Sequence, residues 1–252
     1  MIPKIIHYCW LSDDPIPQNL QNCMNSWKEK IPDYEFILWN FDRFDKNSSK
    51  WVTQAFDNKK YAFAADYIRL YAVYNYGGFY MDMDIEVLKP FDDLLSKNIV
   101  LAYEDDEKIG IEAGVFGAEQ YNSIIKNCLD YYTDKSFIKE DGTFDTKALP
   151  YIMNDKCKNI EINDRFFFTC KSKISGFITT KSYSYSIHHF AGSWLQPWFK
   201  EVADYNYTLY REKGYTKFNR IKAIVHHIKL SFINLGFMGA FKYWMTRIKE
   251  RM

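Results

Sequence analysis

Two carboxylates separated by a single residue, Asp82-Met83-Asp84, stand directly behind Gly77-Gly78-Phe79-Tyr80-Met81. If Phe79 to Asp84 is a strand, residues i and i+2 share a face and the two carboxylates project together. Paired oxygen ligands suit a hard divalent cation, Mg²⁺ or Mn²⁺, bridging phosphate oxygens, and without a cation the pair would repel itself. A solvated turn at a strand end is the plain alternative. Asp66 and Arg69 lie three residues apart on one face of the preceding segment. On an exposed helix such a pair would contribute little. Here the helix is otherwise apolar and runs through Gly-Gly into the acidic strand, which can bring both side chains beside the carboxylates.

The elements that would position these residues follow from periodicity. Ile2 to Trp10 reads as a strand ending at a Ser-Asp-Asp-Pro loop, Gln18 to Lys30 as a helix, and Tyr34 to Trp39 as a second strand. Lys60 to Tyr76 has Ala64, Ala65, Ile68, Tyr71 and Ala72 at helical spacing, and Gly77-Gly78 stops it. Short strands are expected at Ile99 to Tyr103 and Ala113 to Ala118, a helix at Ser123 to Tyr132, and β-like pieces from Ile160 to Tyr185. Alternating strands and helices argue for an α/β domain with a mainly parallel central sheet. The expected division is a domain over 1–197 and a basic helical extension over 198–252.

The stretch AFAADYIRLYAVYNYGGFYMDMDIEVLKP resembles the sugar-binding region of DXD-containing glycosyltransferases, specifically family 32, and IPKIIHYCWLSDDPIP and IHHFAGSW extend the likeness over roughly residues 2 to 195. That group includes yeast initiating mannosyltransferases and bacterial capsule and lipopolysaccharide enzymes, and is more distantly similar to the clostridial glucosylating toxins. The resemblance implies a GT-A fold and retaining transfer from a nucleotide-sugar donor, with a UDP-sugar expected, to a glycan acceptor. It implies that Trp10 stacks on the nucleobase, that Asp66 and Arg69 hold the donor sugar and diphosphate, and that Asp82 meets the ribose or sugar hydroxyls while Asp84 binds the metal. Asp66, Arg69 and Asp82 would form the catalytic set. Core packing for Trp10 stays open. Asn40 would reach the nucleoside, with a simple turn role as the alternative.

In the same comparison the segment holding His188, His189, Ser193 and Trp194 closes over the donor. A neutral imidazole can complete a Mn²⁺ shell. His189 is the expected ligand beside Asp84 and Asp82, and Ser193 or the Trp194 indole the expected partners of the diphosphate. Two ordinary loop histidines are the alternative. Glu112, in Gly110-Ile111-Glu112-Ala113-Gly114, is a candidate for acceptor contact.

The 252 residues are 47% hydrophobic and 26% charged, a globular composition, and the 19% aromatic share suits either flat ligands or a bulky core. The net charge of +1 gives no reason to expect nucleic acid. The charge is uneven, however. Arg211 to Met252 holds ten Lys/Arg against two Glu, a local +8 that leaves −7 for the rest. Within it Ile221, Ile224, Val225, Ile228, Phe232 and Leu235 form an apolar stripe at helical spacing. Residues 215–252 could therefore lie in an anionic membrane interface, which would suit a lipid-linked acceptor, or pack on the domain. His226-His227 reads as surface. Five dispersed cysteines, no apolar N-terminal run of signal-peptide length and no run long enough to span a bilayer lead to an expected cytoplasmic location, peripheral on the inner membrane face.

Two other readings compete. A phosphohydrolase of the haloacid dehalogenase type also places Asp-x-Asp after a strand, but near the N-terminus and with Thr or Val where this chain has Glu86. A non-catalytic carbohydrate- or membrane-binding module could keep the fold and lose turnover, although the set Asp66, Arg69, Asp82 and Asp84 is intact.

Overall fold

The apolar run after Pro3 forms strand β1 (Ile5–Cys9), and the Pro15-Ile16-Pro17 stretch that follows leads into helix α1 (Gln18–Lys30). Leu20, Cys23 and Trp27 are the buried stripe of α1, at spacings of three and four. The chain returns through β2 (Glu35–Trp39), then two helices, α2 (Lys50–Asp57) and α3 (Tyr61–Tyr76). The Ser49 hydroxyl caps α2 by accepting from the Val52 amide, 3.3 Å. Next come β3 (Gly78–Met81), β4 (Ile85–Val87), β5 (Ile99–Val100), β6 (Val115–Ala118), α4 (Ser123–Leu129), α5 (Leu149–Lys156) and β7 (Ser186–His188). The C-terminal part is helical: α6 (Pro197–Lys213) and α7 (Lys217–Lys249). This computed structural model describes residues 1–158, 160–192 and 197–249.

Five strands form one sheet in the order β2-β1-β3-β6-β5. β1 runs parallel to β2, from Ile5↔Glu35 to Cys9↔Trp39, and parallel to β3, with His7 opposite Tyr80. β6 is antiparallel to both β3 and β5, so β6 alone runs against the other strands and the sheet is mainly parallel, as the alternation of elements implies. β4 and β7 form a separate antiparallel ribbon, with Ile85 opposite His188.

β3 is buried along its whole length because both faces are covered. Alternation sends Phe79 and Met81 into one core layer, with Ile6, Trp27 and Phe91, and Tyr80 into the other, with Trp39, Trp51, Ile68 and Phe116. The residue that follows Met81 therefore emerges where the two layers meet, at the carboxyl end of a central strand. That is where open α/β sheets bind ligands.

The turn from α3 into β3 is set by sterics. Gly77 and Gly78 both have positive φ, 67° and 97°, and a Cβ on Gly78 would stand 2.6 Å from the Ile5 carbonyl oxygen. His7 locks this turn from β1: its Nε2–H donates to the Gly77 carbonyl, 2.8 Å, while its Nδ1 accepts from the Trp39 indole, 3.1 Å. Burial lowers the His7 pKa to about 4, so the ring is neutral and can play both parts.

Several sequence expectations change. The strand predicted to reach Asp84 ends at Met81, and the β-like stretch from Ile160 to Tyr185 is turns and irregular backbone with isolated bridge residues. α2, α5 and β4 are elements the periodicity did not single out. The expectation that no run could cross a membrane is corrected as well. Helix Lys217–Met245 is long and apolar enough by length and composition alone, because charges are sparse from Ala223 to Phe241.

The described residues fall into two compact units, Met1–Lys171 with Thr179–Ala191, and Ser172–Ile178 with Gly192–Met252. In the second, α6 and α7 pack through Trp198, Val202 and Leu230, with Tyr207 of α6 lying against Gly176.

Candidate active site at the carboxyl end of the sheet

Asp82 is the first residue beyond β3. Its amide donates to the Gly114 carbonyl, 2.7 Å, and its own carbonyl accepts from the Ile85 amide, 3.0 Å, closing a turn over Asp82–Ile85. The two carboxylates thus converge through a tight turn rather than through strand alternation. β7, pairing with β4 directly after the turn, supplies the third group. Asp82, Asp84 and His188 each offer a ligand atom, and these atoms lie within 4.8 Å of one another.

The histidine brought to the carboxylates is His188, which corrects the expectation of His189. Neighbouring residues on an extended segment point to opposite sides, so only one of the two can face Asp84. His188 Nε2 lies 3.5 Å from Asp84 Oδ1, whereas His189 Nε2 turns to Glu86, 2.8 Å. His189 contributes through its backbone instead: its amide donates to the Asp84 carbonyl, 3.0 Å, and its carbonyl accepts from Lys171 Nζ, 2.6 Å.

Glu112 is likewise corrected. It is 0% exposed and cannot meet an acceptor; it is the anchor of His188. Its carboxylate accepts from His188 Nδ1 at 3.0 Å, from the Thr169 hydroxyl at 2.7 Å and from the Gly114 amide at 2.7 Å. A carboxylate on Nδ1 orients the ring and directs Nε2 outward, the arrangement by which metal-binding histidines are usually held. Gly114 is required by the same packing. A Cβ there would sit 2.8 Å from Glu112 Oε1 and from His188 Cε1, and 3.0 Å from Asp82 Oδ2.

Arg69 reaches the site from α3. Its Nη1 donates to the Ala113 carbonyl, 2.7 Å, and lies 3.4 Å from Asp82 Oδ2, while Nη2 is 3.5 Å from Asp66 Oδ1. The guanidinium also covers the Tyr80 ring at 4.6 Å, and the Tyr80 hydroxyl donates to Asp82 Oδ1, 2.8 Å. Asp66, Arg69, Asp82 and Asp84 are therefore one connected cluster. The Asp66–Arg69 pair is buried, not the surface pair of the plain alternative.

The electrostatics follow from that burial. Desolvation pushes Asp66 up to about 6, with Arg69 opposing and Asp82 adding to the rise. Burial works most strongly against charge on Asp84 and on His188, but the opposite charges and hydrogen bonds around each together outweigh it. Asp84 is lowered to about 2 by the imidazole and by the Ala191 amide, which donates to it at 2.7 Å. His188 is raised well above its ordinary value by Glu112 and Asp84. The carboxylates thus hold a positive charge at Nε2, where a proton and a divalent cation would compete. Two carboxylate oxygens with one imidazole nitrogen fit Mn²⁺, and also Mg²⁺ if water replaces the nitrogen.

Trp10 follows β1 with its ring half-buried against the α1-side core and its indole N–H donating to the Asp14 carbonyl, 2.9 Å. The Asn40 side chain is engaged in a turn after β2, accepting from the Asp42 and Arg43 amides at 3.2 and 3.3 Å and donating to Asp42 Oδ2 at 3.0 Å. Ser193 and Trp194 lie outside the described residues. Sequence reasoning passed over Tyr80, Gly114 and Thr169. Tyr80 carries a usable signal, two positions before Asp82 on the same strand face; Thr169, distant in sequence and in a turn, carries none.

Residues 17–101 match the family described as "Glycosyltransferase sugar-binding region containing DXD motif". The match covers about a third of the chain. That region contains Asp66, Arg69, Asp82 and Asp84, whereas Glu112, Thr169 and His188 fall beyond it. Among curated proteins the chain is similar to Inositol phosphoceramide mannosyltransferase 1 of Schizosaccharomyces pombe, 38% identical over 103 residues, which is 38% of this chain and 32% of that protein. It is also similar to Mannosyl phosphorylinositol ceramide synthase SUR1 of Saccharomyces cerevisiae, 35% identical over 100 residues, 38% of this chain and 26% of that one. The matched segment thus spans about a third or less of these relatives. A solved structure, the PaToxG glycosyltransferase, is similar over 62% of this chain and 67% of its own, with 18% identity and a TM-score of 0.46.

Proposed function

We propose that the protein is a retaining, cation-dependent glycosyltransferase that moves a sugar from a nucleoside-diphosphate donor to a lipid-linked glycan or glycolipid headgroup, as in surface polysaccharide assembly. The observation that carries this reading is the convergence of Asp82 and Asp84, both within the segment that matches the DXD family, with His188 from beyond it, their ligand atoms lying within 4.8 Å of one another. Asp84, Asp82 and His188 would hold Mn²⁺ or Mg²⁺, and the bound cation would supply charge neutralisation at the departing diphosphate. Glu112 keeps His188 in the tautomer that leaves Nε2 directed at the carboxylates. Arg69, fixed by the Ala113 carbonyl and flanked by Asp66 and Asp82, is a preorganised positive charge beside them. Asp66 and Asp82 offer acceptors for donor hydroxyls. Both relatives named above have ceramide-based lipids in their names, which supports a lipid acceptor; work at the cytoplasmic face of a membrane is part of this proposal.

A screen of nucleotide sugars with Mn²⁺ tests it. One donor should release nucleoside diphosphate, and chelation should stop the release. Release of phosphate from simple monoesters, with no nucleotide-sugar turned over, would overturn the reading.

A further inference from the structure

The C-terminal helical stretch is not one rod. At Gly236 the backbone takes φ 67° and ψ 176°, outside the helical range, and the chain reverses there. The reversal is read from side-chain pairs that join the segments on either side of that glycine. The Trp244 indole donates to the Ser231 hydroxyl, 2.9 Å, and the Tyr243 hydroxyl shares a hydrogen bond with His227 Nε2, 2.9 Å. Trp244 also packs against the His227 ring, 4.9 Å between centroids. Lys217–Met245, long enough to cross a bilayer if straight, is therefore a helical hairpin with its tip at Gly236.

The tip is apolar and uncovered. Ile233, Phe237, Met238 and Phe241 are 65%, 72%, 75% and 56% exposed. Leu230 to Phe241 contains no charged residue, and the polar Asn234 side chain donates to the Leu230 carbonyl, 2.9 Å, so that donor is already partnered. A patch of large side chains this exposed marks an interaction surface. Its boundaries identify the partner. Exposed lysines, Lys229 and Lys242, close the uncharged stretch on both arms, seven and six residues from Gly236. At ~1.5 Å per residue the tip reaches roughly 9 to 11 Å beyond them, less than the ~15 Å hydrocarbon depth of one leaflet. Lysines at that level can snorkel to anionic headgroups. Behind them the same apolar stripe continues through Ile228, Val225, Ile224 and Ile221, all exposed, with further cations at Lys222, Arg220 and Lys217 and a single acidic residue, Glu250, from Lys217 to Met252.

We infer that this hairpin seats the protein in one leaflet of an anionic membrane, its tip from Phe232 to Phe241 among the acyl chains and Lys229 and Lys242 at the headgroups, without crossing the bilayer. A lipid-linked acceptor would give this contact a purpose, but the contact stands on the hairpin alone. Its test uses no sugar donor, so either reading can fail without the other.

The full chain is sedimented with phosphatidylcholine vesicles, with and without phosphatidylglycerol, and compared with F237E/M238E and K229E/K242E. These side chains are exposed, so circular dichroism and thermal melting should match the parent. The tip variant should lose binding by at least ~100-fold on both vesicle types. The lysine variant should lose at least ~10-fold, and only where phosphatidylglycerol is present. Undiminished binding by F237E/M238E would overturn the inference. So would a parent chain that ignores vesicles but forms a dimer broken by F237E/M238E, which would make the tip a contact between copies. A fluorophore on Met238→Cys should be quenched by nitroxide lipids and protected from iodide on either side of the vesicle; access for lumenal iodide would mean crossing and would overturn the single-leaflet seat.

Discussion

The acidic cluster and the C-terminal hairpin depart from ordinary protein architecture in opposite senses. Around Asp82 and Asp84, ionisable groups are buried: Asp66, Arg69, Glu112 and His188 are each below 10% exposed, and hydrogen bonds or opposite charges meet them. In the hairpin, large apolar groups are left in water, where burial of each would otherwise stabilise by ~1.5–3 kcal/mol. Buried charge costs desolvation and exposed apolar surface forgoes a gain, so stability of the isolated chain accounts for neither. Each would be met by a proposed partner, a cation with a charged ligand in one case and a lipid leaflet in the other. Evidently a residue in the wrong solvent is a sharper pointer to function here than residue type alone.

That contrast can be broken most forcefully at Asp84. Replacing it by Asn removes a ligand, so donor hydrolysis should fall by at least ~10²–10³-fold, ~3–4 kcal/mol of transition-state stabilisation, with the melting temperature lowered only modestly by the weakened contacts to His188 and the Ala191 amide. A large loss of stability instead would make Asp84 structural. Next in size is the pH response of His7. Its folded pKa of about 4 lies below the ordinary 6.5, so the unfolded chain binds the proton first. Stability from this group is whole above pH 6.5 and drains away as pH falls towards 4, by ~3 kcal/mol in total. Denaturant titrations across that range should show the slope, and His7→Gln should flatten it from a lower starting stability.

A smaller effect is expected at Glu112. Glu112→Gln keeps the size and weakens the hold on His188, so Mn²⁺ affinity measured by calorimetry should drop ~10–100-fold while the fold persists. Smallest of all should be Ile233→Ser in the hairpin. If that surface serves a partner, losing an exposed side chain shifts chain stability by no more than ~0.5 kcal/mol in a thermal melt. A loss of several kcal/mol would show that the tip is packed after all and erase the contrast.

Much of this was legible in residue order. Helix α1 begins and ends where its periodicity places it, and α3 stops at Gly77-Gly78 because only glycine takes those φ values cheaply. The association of Asp66 and Arg69 with Asp82 was legible too, since a short helix–turn–strand connection leaves few ways to arrange them. Less legible was anything that depends on residues far apart in the chain. Choosing His188 over His189 required the β4–β7 pairing, and making Glu112 an anchor required Thr169, fifty-seven residues on. The hairpin lay between these cases: its apolar stripe was plain, but its reversal at Gly236 was not, because glycine within a helix is also tolerated as a straight residue.

By itself, then, the sequence determined the acidic motif, the alternation that makes a mainly parallel sheet and the separation of an acidic body from a basic apolar tail. These are local or compositional properties, set by spacing, φ preference and charge. Tertiary structure alone decided that Asp82 and Asp84 meet through a turn, that His188 joins them with Glu112 behind it, and that the tail doubles back to bare an apolar tip. Each depends on which side of a strand or helix ends up facing a distant segment. Rotation by one residue on a strand reverses that facing, and a single glycine's φ reverses the course of a helix.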